Sequence, residues 1–293
     1  MPPSAATSDL LVGWDRASWR GEPAWTSVRS GVRATVSETR ARLIYLGAAD
    51  GSVNLLNAPW PHRRPDALHP WPNQGGHRFW LGPQHRWVWP PPAEWEYAAA
   101  RSVSAQGGLL TVEHQHLDPA YPALMREYGW ADSRLRCTVR WTDNGARYFG
   151  LHVVAIDTPF RVTARLAPCA DAPTGLVAAR MTEPEAPVTL PQPAIVIDDG
   201  HATVHGGRQR AKFGFVPQPL AIERPSGWSL TVHPGPASTA EAEAPDHGYL
   251  SQVWVGEEGC ELAELEQLTP HLRGDEFGRC ASTIFIEATP PTL

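Results

Sequence analysis

Short runs in which apolar and polar residues alternate occur along the whole chain. GLLTVEHQH (108–116), LRCTVRW (135–141) and WSLTVHP (228–234) place aliphatic, Thr or aromatic residues at every second position. A period of two is the pattern of a β-strand with one buried face. Helical periodicity is confined to the short segment PAYPALMREY (119–128), which contains two prolines and is the one helix that we predict.

The other predicted strands follow one another at intervals of often about ten residues, as in β-sandwiches. They cover residues 42–47, 52–57, 78–82, 149–157, 161–167, 194–199, 201–206, 220–224, 249–256, 260–268 and 282–289. Asp199-Gly200 and Asn144-Gly145 predict two tight hairpin turns, because these residues tolerate the positive φ angles that such turns need. The 30 Pro and 25 Gly are spread as turn residues. We therefore predict an all-β fold, a large antiparallel β-sandwich formed as a single domain by residues 1–293.

Charge and composition narrow the classes of function. The net charge is −6, charged residues make up 19% of the chain, and no basic stretch occurs. These values argue against a nucleic-acid partner and against an anionic membrane surface. The N-terminus lacks the pattern of a signal peptide, and no apolar run is long enough to span a bilayer. We expect a cytoplasmic protein that acts as a monomer or a homodimer.

The four cysteines are Cys137, Cys169, Cys260 and Cys280. No CxxC pair is present, so the sequence excludes a zinc ribbon and a thioredoxin-like motif. His114 and His116 share a strand face in the HQH run but have no third ligand nearby in the sequence, so we predict no metal site. No nucleotide-binding motif is found, and no cofactor is predicted. Pairing of Cys260 with Cys280 stays open for a secreted protein.

The segment 58–92 is dense in Pro, Trp and His, and it includes several of the chain's 13 tryptophans. Long irregular segments of this kind often carry function. Within it, GGHRFWLGPQ (75–84) begins a strand that places Arg78 and Trp80 on one face. A guanidinium donates to sugar hydroxyls, and an indole covers the apolar side of a sugar ring. The alternative is a structural salt bridge of Arg78 and a core position for Trp80.

Four ordered blocks resemble bacterial mutarotase-like proteins of the galactose-mutarotase-like superfamily. They are ARLIYLGAADGSVNLLN (41–57) with Arg42, GGHRFWLGPQ with WPPPAEWE (89–96), RAKFGF (210–215) with Lys212, and ELEQLTPHL (264–272). In the first block, Arg40-Ala41 replaces a glycine pair of the family. The second block places Trp89 and Glu94 near a cleft with His77, Arg78 and Trp80. The resemblance implies the superfamily's β-sandwich and a sugar or oligosaccharide as ligand.

The resemblance also implies the chemistry of an aldose 1-epimerase, in which one group deprotonates the anomeric hydroxyl and another protonates the ring oxygen. Glu264 is the predicted base, with Glu266 as the second choice on the same strand face. The family's histidine run is replaced by DNGARYFGLH (143–152), where no His follows Asn144. His152 is the best substitute as the acid, and His77 the second. Arg78, Trp80, Arg42, Trp89, Glu94 and Lys212 are the predicted substrate contacts.

Each of these residues also has a structural interpretation. Glu264 or Glu266 flanked by leucines is costly to bury alone, so an ion pair with an arginine is the alternative. A lone strand histidine such as His152 is often a structural residue. Two other functions stay open. A non-catalytic carbohydrate-binding module needs no opposed Glu–His pair, and a glycoside hydrolase or lyase needs two opposed carboxylates, such as Glu94 facing Glu264, or a Tyr/His pair.

Overall fold

The strands were located in a computed structural model of the chain. It describes residues 12–61, 65–67, 71–87, 89–142, 148–157, 161–165, 178–181, 195–198, 201–205, 211–215, 217–236, 249–256, 262–269, 272, 275 and 278–292. Within these ranges, twenty strands and two very short helical segments are found. None of the helices in the described ranges is long and apolar enough to cross a membrane.

Along the chain, the strands contribute in turn to three different sheets. The strands are β1 Asp15–Trp19, β2 Glu22–Arg29, β3 Val32–Ser37, β4 Arg42–Ala48, β5 His77–Gly82, β6 Ala100–Gln106, β7 Leu109–His114, β8 Leu124–Ala131, β9 Arg134–Thr142, β10 Phe149–Asp157, β11 Arg161–Arg165, β12 Ala178–Met181, β13 Ile195–Asp198, β14 His201–His205, β15 Ala211–Phe215, β16 Leu220–Glu223, β17 Ser229–Pro234, β18 Ser251–Val255, β19 Leu262–Leu268 and β20 Arg279–Thr289. A 3-10 helix, Gln84–Arg86, and the helix α1, Ala93–Glu96, follow β5.

All strand pairs in the three sheets are antiparallel. The four-stranded sheet has the order β1-β2-β3-β4, and the six-stranded sheet has the order β12-β15-β18-β19-β10-β5. The ten-stranded sheet has the order β13-β14-β11-β16-β17-β20-β9-β8-β7-β6. The predicted all-β fold with large antiparallel sheets is confirmed.

The largest hydrophobic cluster joins residues of all three sheets. Leu43 comes from the four-stranded sheet, Val154 and Leu265 from the six-stranded sheet, and Leu135 and Ile284 from the ten-stranded sheet, and all are at most 1% exposed. Each fully buried side chain of this kind contributes about 1.5–3 kcal/mol by leaving water. The period-two alternation therefore places one face of each central strand in this core and leaves the other face for polar side chains.

The predicted helix at 119–128 is wrong, because residues from Leu124 onwards form β8 between β7 and β9. Leu124, Arg126 and Tyr128 alternate into the protein interior and are nearly or fully buried. The buried Arg126 hides the strand pattern, since an arginine normally indicates an exposed position. The predicted strand at 52–57 is also wrong, because the segment forms one isolated β-bridge, between Gly47 and Asn54, and no strand in the described ranges.

One predicted hairpin is confirmed and the other is not. Asp198 on β13 pairs with His201 on β14, as the turn at residues 199–200 requires. β9 and β10, however, belong to different sheets and do not pair with each other, so they do not form the predicted hairpin. Residues 143–147 themselves lie outside the described ranges. So does Cys260, and whether it pairs with Cys280 stays open.

Gly76 sets the start of β5 by a close approach of two backbones. Its φ is +69°, and a Cβ atom at this position would lie 2.2 Å from the carbonyl oxygen of Leu43 on β4. Its amide donates to Asn57 O at 2.6 Å, and its carbonyl accepts from Ala155 N at 3.0 Å. A side chain therefore meets both backbone strain and a steric clash here.

We expect Gly76→Ala to lower the free energy of unfolding by more than the strain of positive φ alone, which is on the order of 1–3 kcal/mol. Gly31→Ala is the matched control, because Gly31 has a φ of +79° and a Cβ atom there would have no neighbour within 4 Å. Urea unfolding of both variants separates the clash from the strain. Equal losses of stability in the two variants would contradict the close approach at Gly76.

Candidate functional site

The six-stranded sheet presents a row of charged and aromatic side chains on the face opposite the core. We call this the polar face, and it carries Arg78, Trp80, Lys212, Gln252, Trp254, Glu264 and Glu266. Strand register defines it, because residues paired across antiparallel strands point to the same side. Val153 pairs with both Arg78 and Glu266, and Trp254 pairs with both Lys212 and Glu264.

Arg78 and Glu264 form a buried ion pair across the intervening strand β10. Nη2 of Arg78 donates to Oε1 of Glu264, and the side chains are 1% and 11% exposed. Burial lowers the pKa of Arg78, but the charges of Glu264 and Glu96 outweigh this effect and raise it. The guanidinium therefore stays protonated, and it also lies over the ring of Trp80, 5.0 Å from its centroid.

Lys212 and Glu266 form a second ion pair on this face. Nζ of Lys212 lies 2.8 Å from Oε2 of Glu266, and their side chains are 21% and 3% exposed. This pair and the Arg78–Glu264 pair each join side chains from neighbouring rows of the sheet. The sequence alternative of ion-paired carboxylates on β19 is therefore present, with Arg78 as the partner of Glu264 and Lys212 as the partner of Glu266.

Arg42 lies behind Trp80 and is fully buried. Its Nη1 donates to Oε1 of Glu96 at 2.9 Å, and its Nη2 donates to the backbone carbonyls of Trp95 and Glu96. Burial lowers its pKa to about 10, while Glu96 acts in the opposite direction. The predicted sugar contact is not supported, since Arg42 has no exposed surface and instead fixes α1.

Glu96 connects this buried pair to the polar face. Its Oε2 accepts a hydrogen bond from Nε1 of Trp80 at 3.2 Å. Sequence reasoning named Glu94 and missed Glu96, because both stand in WPPPAEWE and only the short helix decides which one points to the sheet. Trp254, opposite Glu264, was also missed. Its place in the alternating strand 249–256 was a usable indication.

Glu94 does not face Glu264. Its backbone carbonyl accepts from Nδ1 of His114 at 3.3 Å, and the side chain is buried. Burial raises the pKa of this carboxyl, and the charges that act on it are those of Asp118, which raises it, and His116, which lowers it. The opposed carboxylate pair required by the hydrolase alternative is therefore not formed by Glu94 and Glu264.

A tryptophan cluster, consisting of Trp71, Trp80 and Trp89, borders the polar face beside β5. The centroid of Trp89 lies 5.1 Å from that of Trp71 and 6.1 Å from that of Trp80. Trp80 is 6% exposed, whereas Trp89 is 52% exposed. The structure thus places the predicted contact Trp89 at the surface and Trp80 beneath it.

His77 and His152 lie on the opposite face of the same strands and are at most 1% exposed. Their rings are stacked, with His77 Nε2 at 2.9 Å from His152 Nδ1, and His152 Nε2 is 2.7 Å from Ser282 Oγ on β20. Burial lowers the pKa of His77 far below its usual value and that of His152 to about 3. The predicted acid role is not supported, because a whole sheet separates these rings from Glu264.

The parity of β5 could have excluded His77 from the sequence alone. Neighbouring residues of a strand point to opposite faces, so His77 and Arg78 cannot both contact one ligand. In the other histidine pair, His114 and His116 of the HQH run, one imidazole is structural and the other is exposed. His114 is buried, and its Nε2 accepts from Arg126 Nε at 2.9 Å, while His116 is exposed. In the described ranges, no three His, Cys, Asp or Glu side chains are grouped as metal ligands.

Solved structures with the same arrangement of sheets share little sequence with this chain. A provisionally assigned mutarotase from Salmonella typhimurium superposes with a TM-score of 0.58 at 10% identity, over 95% of this chain and 94% of that one. A galactose mutarotase-like protein from Lactobacillus casei gives 0.56 at 12% identity, over 91% and 100%. The chain has the galactose-mutarotase-like fold.

A third structure of this galactose-mutarotase-like fold is a provisionally assigned aldose 1-epimerase from Escherichia coli K12. It superposes with a TM-score of 0.56 at 14% identity, over 91% of this chain and 98% of that one. No protein-family model and no curated protein sequence matches the chain. At these identities the likeness establishes the fold, and the function has to be argued from the site.

We expect the buried histidines to make the protein lose stability in acid. The folded-state pKa values of His77, His114 and His152 are lowered by burial, that of His152 from 6.5 to about 3. Between the two values the unfolded chain binds more protons, so the free energy of unfolding falls as the pH drops from 6.5 towards 3. The slope is up to about 1.4 kcal/mol per pH unit for each such histidine.

Urea unfolding at stepped pH values measures this slope. His152→Gln removes one of the groups and is expected to flatten the curve over the interval. His116→Gln is the control, because this exposed imidazole is not buried on folding. A His152→Gln curve as steep as that of the wild type would show that His152 is not kept neutral by burial.

Proposed function

We propose that this protein binds a carbohydrate on the polar face of the six-stranded sheet. The observation that carries this proposal is the position of Glu264. Its carboxylate is fixed by Arg78, keeps 11% of its side chain exposed, and lies between two aromatic groups in the order across the sheet. Trp254 is the neighbour on β18, and the tryptophan cluster begins at Trp80, which packs against Arg78.

Such a surface matches the two kinds of surface on a sugar. A carboxylate and an ammonium group accept from and donate to hydroxyls in charge-assisted hydrogen bonds, which are stronger than neutral ones. Indole rings cover the apolar C–H side of a pyranose. Glu264 and Lys212 supply the first kind of contact, and Trp254, which pairs with Glu264, supplies the second. Arg78 and Trp80 are mostly covered and act as the support beneath them.

The charges favour an uncharged sugar. Arg78 faces Glu264, Lys212 faces Glu266, and Arg42 faces Glu96, so each of these three cations has a carboxylate partner. A phosphate or carboxylate on the ligand would have to compete with these carboxylates for the cations. The hydroxyl groups of a neutral sugar add to the pairs without separating them.

An epimerase-type reaction is the second candidate. It is favoured by Glu264, the predicted base, which lies on the polar face with 11% of its side chain exposed, in a fold shared with mutarotase-like proteins. Against it, Glu264 is bound to Arg78, and the rings of His77 and His152 lie on the far side of the sheet. Sugar binding without turnover is therefore the function that the geometry supports best.

Ligand-observed NMR on a panel of neutral aldoses tests the binding proposal. We expect saturable binding of at least one sugar, and an affinity about tenfold or more lower in Glu264→Gln, because hydrogen bonds to charged groups contribute about 1.5–3 kcal/mol. Lys212→Gln is a second variant with less effect on folding, as its side chain is 21% exposed. Glu223→Gln, an exposed carboxylate on β16, is the control and should bind like the wild type.

The binding proposal fails if the folded wild type binds no sugar of the panel, or if Glu223→Gln weakens binding as much as Glu264→Gln does. Melting curves recorded for each variant separate loss of binding from loss of folding. Glu264→Gln leaves Arg78 buried and unpaired, which can unfold the protein. In that case the binding affinity of Lys212→Gln tests the proposal.

Exchange NMR on the sugars that bind distinguishes binding from epimerisation. We expect the anomers to exchange at the buffer rate in the presence of the protein, because the imidazoles of His77 and His152 lie on the other face of β5 and β10 from Glu264. Faster exchange that is abolished in Glu264→Gln would instead establish the epimerase reaction with Glu264 as its base.

A further inference from the structure

Trp89 is the most exposed of the large hydrophobic side chains in the described ranges. It is 52% exposed, whereas Trp80, Trp87 and Trp95 of the same region are at most 6% exposed. Keeping half of an indole in water forfeits apolar burial, and an exposed ring beside a candidate site commonly belongs to a ligand surface. The exposure of Trp89 is not explained by the packing of the core.

The ring is nevertheless held in place from below. It makes tilted and edge contacts with Trp71 and Trp80, at interplanar angles of 59° and 87°. Trp71 in turn packs edge-on against Tyr97 at 5.5 Å, and the Tyr97 hydroxyl donates to Pro72 O at 3.3 Å. A ring fixed in this way loses little conformational freedom when a ligand binds, which favours affinity.

Trp80 connects Trp89 to the Arg78–Glu264 pair. The Arg78 guanidinium lies 5.0 Å from the Trp80 ring centroid, and Trp89 lies 6.1 Å from the same ring. Trp89 is therefore linked to the Arg78–Glu264 pair through the Trp80 ring, and it is the exposed member of this series. A single sugar held at Glu264 leaves this outer ring uncovered, and a second sugar linked to the first reaches it.

We propose that Trp89 and Trp71 form a second sugar subsite, so that the ligand is a chain of at least two neutral sugar residues. This inference rests on the proposed carbohydrate binding at Glu264. The first residue of the chain occupies the surface between Glu264 and Trp254, and the next one stacks on Trp89. Binding of an oligosaccharide requires no covalent step and no charged ligand group.

A length series tests the second subsite. The probes are the monosaccharide that binds in the panel and the disaccharide and trisaccharide built from it, titrated by calorimetry. In the wild type we expect the disaccharide to bind about five- to tenfold more tightly than the monosaccharide, as one added aromatic contact supplies. In Trp89→Ala this ratio is expected to fall to about one.

Trp60→Ala is the matched control, because Trp60 is also exposed, at 40%, but its ring packs against Arg40. It should keep the wild-type ratio. Equal affinity of the wild type for the monosaccharide and the disaccharide overturns the second subsite and leaves sugar binding at Glu264 intact. If the wild type binds none of the three sugars, the proposed function itself is overturned.

A second copy of this chain is the other partner that could cover the exposed Trp89 ring. Sedimentation of the wild type and of Trp89→Ala tests this alternative. If Trp89→Ala dissociates a homodimer and keeps the wild-type length ratio, Trp89 belongs to a protein interface and the subsite is overturned. An unchanged sedimentation coefficient together with a lost ratio supports the subsite.

Discussion

The ion pair between Arg78 and Glu264 is the interaction on which the geometry of the polar face depends. The two residues are 186 positions apart in the chain and meet across β10. A buried charge is costly unless it is paired, so each residue stabilises the other in place. The pair fixes the carboxylate that reaches the surface, and it fixes the guanidinium on which Trp80 lies. Through Trp80 and Glu96 the same constraint extends to Arg42 and to the helix α1.

The opposite face of the same strands carries neutral imidazoles instead of charged side chains. There His77 and His152 are neutral, and they join the six-stranded sheet to Ser282 of the ten-stranded sheet inside the core. Alternation along β5 and β10 thus separates a charged face that contacts solvent from a neutral hydrogen-bonded chain that links two layers. This separation is why we propose sugar binding on the charged face, and not acid–base chemistry by these imidazoles.

Most of the fold could be predicted from period-two alternation, and the errors have identifiable causes. β8 was predicted as a helix because Arg126 occupies an interior position, where it donates to His114 Nε2 and to the carbonyl of His77. The turn at Asn144-Gly145 was predicted as a hairpin because turn residues report local conformation and not the sheet to which the next strand goes. β1, β2, β3, β6 and β12 were also missed, and in β1 and β6 no alternation is visible because their residues are exposed or half-exposed throughout.

The sequence by itself determined the all-β class and the pairs of residues that share a strand face, Arg78 with Trp80 and Glu264 with Glu266. Both follow from the two-residue period of a strand, which is a local property. Only the tertiary structure decided which face looks outward, which cation meets each carboxylate, and that Glu96 and not Glu94 approaches the sheet. These depend on strand register and on packing between residues far apart in the chain, and local patterns carry no information about either.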